Sequence, residues 1–313
     1  EEIHRNGAMV LALRNFEQYT GDDRYLRSEG VAVAVAVARF WAQRVHWSDH
    51  REAYVMLGVT GPNEYENNVN NNWYTNYLAS WCMRYALEVA QWLKTEHPSD
   101  WSRLTSAYSI DEASTFEAWK SVPDQMYLPQ LEGTEVRLQQ DGFMDKEQLS
   151  VDDLKADQRP INQKWSWDRI LRSIFIKQAD VLQGLYFFWD DFSLKTHEAN
   201  YDFYEPKTVH ESSLSPCVHS IIAARLERMD DAYKHYLRTS RLDLDDYNKE
   251  VHEGLHITSM AGTWLSVVEG FGGFKVKEGK PHFNGKLPRA WQSLRFKINF
   301  RNRLLDVVVS EDG

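Results

Sequence analysis

The sequence predicts a mainly α-helical fold, an α/α toroid portion, that passes into the start of a small C-terminal antiparallel β domain. Three observations carry this. From Glu1 to about Gly270 the apolar residues recur at helical spacing, with loops as punctuation. After Gly272-Gly273 the period drops to two. The helices pair through loops without any repeating sequence period, which argues against a solenoid. The expected division is residues 1–270 for the helical part and 271–313 for a partial β domain, since the strand pattern runs almost to Gly313.

Taken in order, the first helix ends at Gly21-Asp22-Asp23 and a second runs to about Trp47. Val31 to Ala38 alternates Val and Ala and imitates a strand. Both types are apolar, however, and Tyr25, Leu26, Phe40 and Trp41 extend the pattern, so a buried helix is expected. After the loop GVTGPNEYENNVNNNWYTN, Trp73, Tyr77, Trp81 and Tyr85 fall at four-residue steps. With Cys82, Ala86, Val89 and Leu93 they make one wide apolar helix face. Further helices are expected at 113–121, 168–190, 213–227, 230–239 and 255–269. Residues 123–166, acidic and glutamine-rich, predict long loops over one end of the helical domain. Leu294, Phe296, Ile298 and Phe300 alternate with Arg295, Lys297 and Asn299. Leu305, Val307 and Val309 alternate with Asp306 and Val308, the pattern of half-buried antiparallel strands.

Bulk properties exclude several classes. The 313 residues are 42% apolar, enough for a large core, and no apolar run approaches a membrane span. A net charge of -10 without a basic stripe disfavours nucleic acid as a partner. Cys82 and Cys217 lie in apolar helical surroundings and read as reduced core thiols of a cytoplasmic protein. No signal peptide is evident. The chain begins on Glu1 inside a helical pattern, without an initiator Met, which predicts a piece of something longer. Twelve tryptophans offer flat faces for sugar rings, or simply fill a helical core.

Four segments could carry chemistry. In the loop at 58–76, Gly61-Pro62 turns the backbone tightly before Glu64. A glutamate in an aromatic-lined pocket loses solvation as an anion, its pKa rises, and it can protonate a glycosidic oxygen. The competing reading is a capping loop, with Asn68 or Asn70 as the cap and Glu64 solvated. In TVHESSLSP, serines before Pro216 and an apolar face mark a helix start. There Ser212, Ser213 and free backbone N–H groups could cradle an anion, or a serine could be an ordinary N-cap. In VHEGLHITSMAG, His252, Glu253 and His256 have zinc-protease spacing, but Gly254 interrupts the required helix and no third ligand is evident. No metal is expected, and His256 reads as a donor to an anion at a helix start or as a satisfied core histidine. In FIKQADVL, Lys177 within an apolar run needs an oxygen-rich partner such as sugar hydroxyls or a carboxylate, or else snorkels at the core edge.

Together these segments resemble glycoside hydrolase family 65, whose acid motif is commonly GPDEYHxxVDNNxYTN. KQADVL, HESSLSP and GLHITSMAG follow in order. Asn63, Glu66 and Asn70 depart from the usual Asp, His and Asp, as in the maltose phosphorylases of lactic acid bacteria, and Glu64 is intact. The resemblance implies an (α/α)6-barrel portion and inverting phosphorolysis of an α-glucosidic disaccharide such as maltose. Glu64 would be the general acid, and Ser212, Ser213 and His256 would hold phosphate. Lys177, Gln178 and, beside the serines, Glu211 would face the substrate. It implies inorganic phosphate as co-substrate, no cofactor and a homodimer. The alternatives are kojibiose or trehalose as substrate, a hydrolase of the same fold, or a non-catalytic carbohydrate-binding fragment.

Overall fold

The computed structural model describes residues 2–310. Its chain forms two compact units, Glu1–Gly61 with Asn67–Pro129, and Pro62–Glu66 with Gln130–Gly313.

The first unit contains helix α1 (His4–Thr20), a π-helical turn at Leu26–Gly30 leading into α2 (Val31–Arg44), and a hairpin of β1 (His46–Ser48) and β2 (Ala53–Val55). Then come α3 (Trp73–Glu96), α4 (Pro98–Tyr108) and α5 (Glu112–Asp124). The Val/Ala run is helical and buried as expected. It stops at Arg44 rather than Trp47, because His46–Ser48 pairs antiparallel with Ala53–Val55. α4 begins at Pro98 in the first helical position, a start signal the sequence reading passed over. Helices α1, α2, α4 and α5 all pack on α3. A Cβ on Gly7 would stand 2.5 Å from Leu78 Cγ, so glycine lets α1 approach. Rings four apart on α3 stack, Trp73 on Tyr77 at 5.1 Å and Trp81 on Tyr85 at 5.2 Å.

The asparagines before α3 hold backbone. Asn70 and Asn71 side chains accept the Gly58 and Met56 amides, at 3.1 and 3.0 Å. Asn72, not Asn68 or Asn70, caps α3 by accepting the Thr75 N–H at 2.9 Å.

In the second unit, turns and short 3-10 segments from Gln130 lead to α6 (Ile161–Lys164), α7 (Trp167–Arg172), α8 (Val181–Phe187), α9 (Leu194–Tyr204), α10 (Pro216–Arg225), α11 (Met229–Ser240) and α12 (Ile257–Leu265). The helix expected over 168–190 is instead two helices, α7 and α8, around an extended stretch. Ile174 donates its amide to Glu147 and Ile176 to Lys207, while Val209 donates to Ile176, at 2.9–3.1 Å. A short, buried apolar run satisfies its backbone equally well in either conformation, so periodicity could not separate them. α10 is buried on nearly every side and packs with α8, α9, α11 and α12.

Past a π-helical turn at Ser266–Phe271 the chain changes character at Gly273, whose φ is +61°. A Cβ there would stand 2.2 Å from the Asn284 carbonyl oxygen, so only glycine fits. Two hairpins follow, β3 (Lys275–Lys277) with β4 (Lys280–His282), and β5 (Ser293–Phe300) with β6 (Arg303–Ser310). The expected alternation is present, with Ile298 and Phe300 buried. Arg301 and Asn302 both take positive φ at the β5–β6 turn, the geometry that matches strand twist. Cys82 and Cys217 are buried, unpaired thiols. Among the described residues no helix is long and apolar enough to cross a membrane.

Candidate active site

The second unit brings the four chemical segments into one hydrogen-bonded string. Gly61-Pro62 introduces a turn in which the Asn63 side chain accepts the Tyr65 amide two residues on, at 3.2 Å. The same Asn63 oxygen accepts the Lys177 amide at 2.9 Å, and the Asn63 amide donates to buried Asp180 at 3.1 Å. This fixes Glu64 opposite Lys177, and the Lys177 ammonium pairs with the Glu64 carboxylate. The Glu64 side chain is 36% exposed and meets a cation.

Gln178 comes next and is buried. Its Nε2 donates to the Pro62 carbonyl at 2.6 Å, and its Oε1 accepts Ser212 Oγ–H at 2.5 Å. Both ends of the amide are thereby committed to protein. Ser213 Oγ lies 2.8 Å from Thr258 Oγ1 in the first turn of α12. The helix after the serines starts at Pro216, later than the expected 213, and Leu214 is exposed. Ser215 stands at the N-cap position without capping, because its Oγ accepts the Ala179 amide at 3.2 Å and meets His210 Nδ1 at 2.9 Å.

His256 precedes α12 as expected. Asp243 accepts its backbone N–H at 2.8 Å and lies 2.6 Å from its Nδ1, while Nε2 faces Glu250 Oε2 at 3.9 Å. Desolvation would raise the Asp243 carboxyl, but the His256 amide and ring outweigh it and hold it below its usual value. His252 is exposed on a separate 3-10 turn, and Gly254 at φ 119° parts the two histidines. The zinc-protease geometry is therefore not formed.

Glu211 is buried. Both its oxygens lie within 2.9 Å of the Ile161 amide, and Tyr65 O–H donates to Oε2. Burial pushes its carboxyl up, against the hydrogen bonds from Tyr65 and Ile161. Burial and the Glu211 charge push the Tyr65 hydroxyl up as well, so it stays a donor. Around this pair Tyr65, Ile161, Ile170, Phe175 and Val209 form a core cluster. Next to it, Lys146 Nζ lies 2.5 Å from buried Glu66.

Sequence reasoning missed Asn63, Asp180, Tyr65 and Thr258. Asn63 had a readable signal, since Asn after Gly-Pro favours a side-chain-to-backbone turn. The other three gain their partners only through the fold.

The model of the glycosyl hydrolase family 65 central catalytic domain matches residues 1–265, and that of the family 65 C-terminal domain matches 274–313. The chain is 49% identical over 311 residues to a maltose phosphorylase of Bacillus subtilis, covering 99% of this chain and 40% of the relative. It is 37% identical to an α,α-trehalose phosphorylase of Thermoanaerobacter brockii, covering 100% and 40%. To a kojibiose phosphorylase of Halothermothrix orenii it is 35% identical, covering 99% and 40%. A solved structure described as a candidate kojibiose phosphorylase from the human microbiome aligns with a TM-score of 0.90 at 32% identity, covering 98% of this chain and 44% of that one. The chain thus spans about two fifths of the length of these curated relatives. Its helices are part of an (α/α)6-barrel, and the strands after Gly273 belong to a small antiparallel β domain.

Proposed function

The chain belongs to glycosyl hydrolase family 65, and on that footing we propose that this protein catalyses inverting phosphorolysis of an α-glucosidic disaccharide. Maltose is the leading substrate, giving β-D-glucose 1-phosphate and D-glucose; the identity to a maltose phosphorylase, 49% against 37% and 35% for the trehalose and kojibiose enzymes, supports that choice. The reading divides the chain into a catalytic part, residues 1–270, and the start of a C-terminal sheet domain, residues 271–313.

One observation carries the proposal: Glu64, Lys177, Gln178, Ser212 and Ser213 lie along a single string of side-chain contacts and chain neighbours. Glu64 gives its proton to the glycosidic oxygen as the bond to the anomeric carbon breaks. A phosphate oxygen, held by Ser212, Ser213 and His256, forms the new bond from the opposite face. Sugar hydroxyls draw Lys177 from Glu64 on binding, and the released carboxyl turns to the scissile oxygen. Gln178 and Glu211 act by holding the walls of the site. Phosphate is already nucleophilic near neutral pH, so no side-chain base is required and no cofactor enters.

A hydrolase needs a second carboxylate free to activate water. Glu211, adjacent to the serine pair, is occupied by Tyr65 and Ile161, and Asp243 is occupied by His256, which favours phosphorolysis. The test is to incubate full-length protein with maltose, kojibiose or trehalose, with and without phosphate, and follow the products by NMR. Phosphate-dependent appearance of the β-anomer of glucose 1-phosphate is expected. Glucose release that is indifferent to phosphate, or an α-anomer, would overturn the proposal.

A further inference from the structure

The second unit also holds a cluster that this chemistry leaves unused. Glu205, His210, His219 and His235 converge, with one nitrogen or carboxylate oxygen from each lying within 4.8 Å of the others. Glu205 sits in a turn after α9, His219 on α10 and His235 on α11, and His210 opens the HESSLSP loop. Glu205 Oε2 is 2.5 Å from His219 Nδ1 and 3.4 Å from His210 Nε2, and Oε1 is 3.0 Å from His235 Nε2. All three histidines are buried.

Three imidazoles and a carboxylate are a plausible donor set for a divalent transition metal. The distances favour another role. Two ligands about 2.0–2.1 Å from a tetrahedral ion stand roughly 3.3 Å apart. At 2.5 Å, Glu205 and His219 are hydrogen-bonded instead. Burial holds His210 and His219 below the ordinary histidine value, so they stay neutral donors. Burial would raise Glu205, but the hydrogen-bonded His219 and the nearby rings of His210 and His235, at 3.4 and 3.0 Å, outweigh it and keep it a carboxylate.

His210 has a left-handed backbone, with φ +55°. A residue with a Cβ adopts that conformation only where its surroundings dictate it, and such strain gathers at ligand clamps. Three contacts dictate it here. Nε2 faces Glu205, Nδ1 meets Ser215 Oγ at 2.9 Å, and the carbonyl accepts Arg238 Nη2–H at 2.9 Å. The next residues in the chain are Glu211, Ser212 and Ser213.

We infer that Glu205, seated by His219 and His235, is a positioning residue that clamps His210 in its left-handed backbone and so aims the Ser212–Ser213 pair at phosphate. This rests on the phosphorolysis reading above. The cluster acts at one remove: it touches neither sugar nor phosphate, and it fixes the direction in which the loop leaves His210.

The test is a two-substrate rate matrix on full-length parent, Glu205→Gln, Glu205→Asp and Ser215→Ala, with metal content measured in each. Glu205→Gln turns an amide N–H toward a ring N–H. It should raise the KM for phosphate by about tenfold, with kcat and the disaccharide KM within about threefold of the parent. Glu205→Asp should recover part of the effect. Ser215→Ala removes the Oγ contacts to His210 Nδ1 and to the Ala179 amide while leaving the Glu205–histidine cluster intact, so, with circular dichroism confirming the fold, it decides the matter should Glu205→Gln misfold; a several-fold rise in the phosphate KM is expected. Unchanged phosphate KM in the folded variants, or equal changes in both KM values, overturns the inference. So does a stoichiometric transition metal that Glu205→Gln loses. A parent enzyme indifferent to phosphate sinks the phosphorolysis reading itself, and shows this before any variant is made.

Discussion

Gln178 offers a comparison in which two substitutions of nearly the same shape separate. Its amide joins two loops, accepting from Ser212 at 2.5 Å and donating to the buried Pro62 carbonyl at 2.6 Å. Gln178→Met removes both hydrogen bonds. At a net value of about 1 kcal/mol each the cost is about 2 kcal/mol, and the Ser212 hydroxyl can rotate to another acceptor. Gln178→Glu keeps the Ser212 bond and strengthens it, yet sets a carboxylate oxygen against the Pro62 carbonyl with no hydrogen between them. The Pro62 carbonyl left without a donor costs about 1–3 kcal/mol in either variant, and in Glu alone repulsion from the charge adds to that. A total near 3–4 kcal/mol is expected. If this falls on the transition state, kcat/KM drops about thirtyfold for Met and some hundredfold or more for Glu. Lowering the pH should partly rescue Glu alone, because a protonated carboxyl can donate to Pro62. The assay is kcat/KM for disaccharide at saturating phosphate in the full-length enzyme between pH 5 and 8, with circular dichroism confirming the fold. A Glu variant within threefold of the parent at pH 8, or above Met throughout, would refute the bridging role.

Glu64→Gln should lower turnover by about 10²–10⁴-fold while disaccharide still binds, measured by single-turnover kinetics and equilibrium binding; a kcat within tenfold of the parent removes Glu64 as the acid. Ser212→Ala with Ser213→Ala should raise the KM for phosphate more than that for disaccharide, and equal effects would dismiss the anion cradle. Lys146→Met strands the buried Glu66 carboxyl, which burial raises and Lys146 opposes. A raised folded pKa gives stability that is present at low pH and lost as pH rises through that value, so this variant should match the parent more closely at pH 5. By pH 8 it should have lost about 3 kcal/mol, and thermal shifts equal at both pH values would contradict this. In Gly262→Ala the new Cβ would stand 2.8 Å from Cys217 Cβ and force α12 off α10, costing about 1–3 kcal/mol by thermal melting. Gly270→Ala, whose nearest neighbours lie at 3.5 Å or more, should be neutral or stabilising.

What the sequence disclosed and what it hid follow from the range of the forces involved. The α3 face and the β5–β6 alternation were legible because burial repeats at 3.6 or 2 residues, and both periods lie within a few neighbours. The break between α7 and α8 was hidden, since the stretch after Arg172 takes its backbone partners from Glu147 and Lys207. The same rule divides the asparagines of the quoted loop. Asn72 serves a neighbour three residues away, and Asn70 and Asn71 satisfy amides of the adjoining segment. Asn63 reaches 114 residues ahead to Lys177, and it thereby sets the Glu64–Lys177 pair. Residue type announced a polar, sugar-suited loop, but the partner that gives Asn63 its role is chosen by the fold. Because Asn63 must accept from two amides at once, an aspartate there would keep both bonds, give up the long Nδ2 contact to Gln139 Oε1 at 3.5 Å, and add a charge beside Glu64 and Lys177. Asn63→Asp therefore separates geometry from electrostatics at this site: retained fold with altered kcat assigns the difference to charge, and unchanged kcat assigns the role of Asn63 to hydrogen bonding alone.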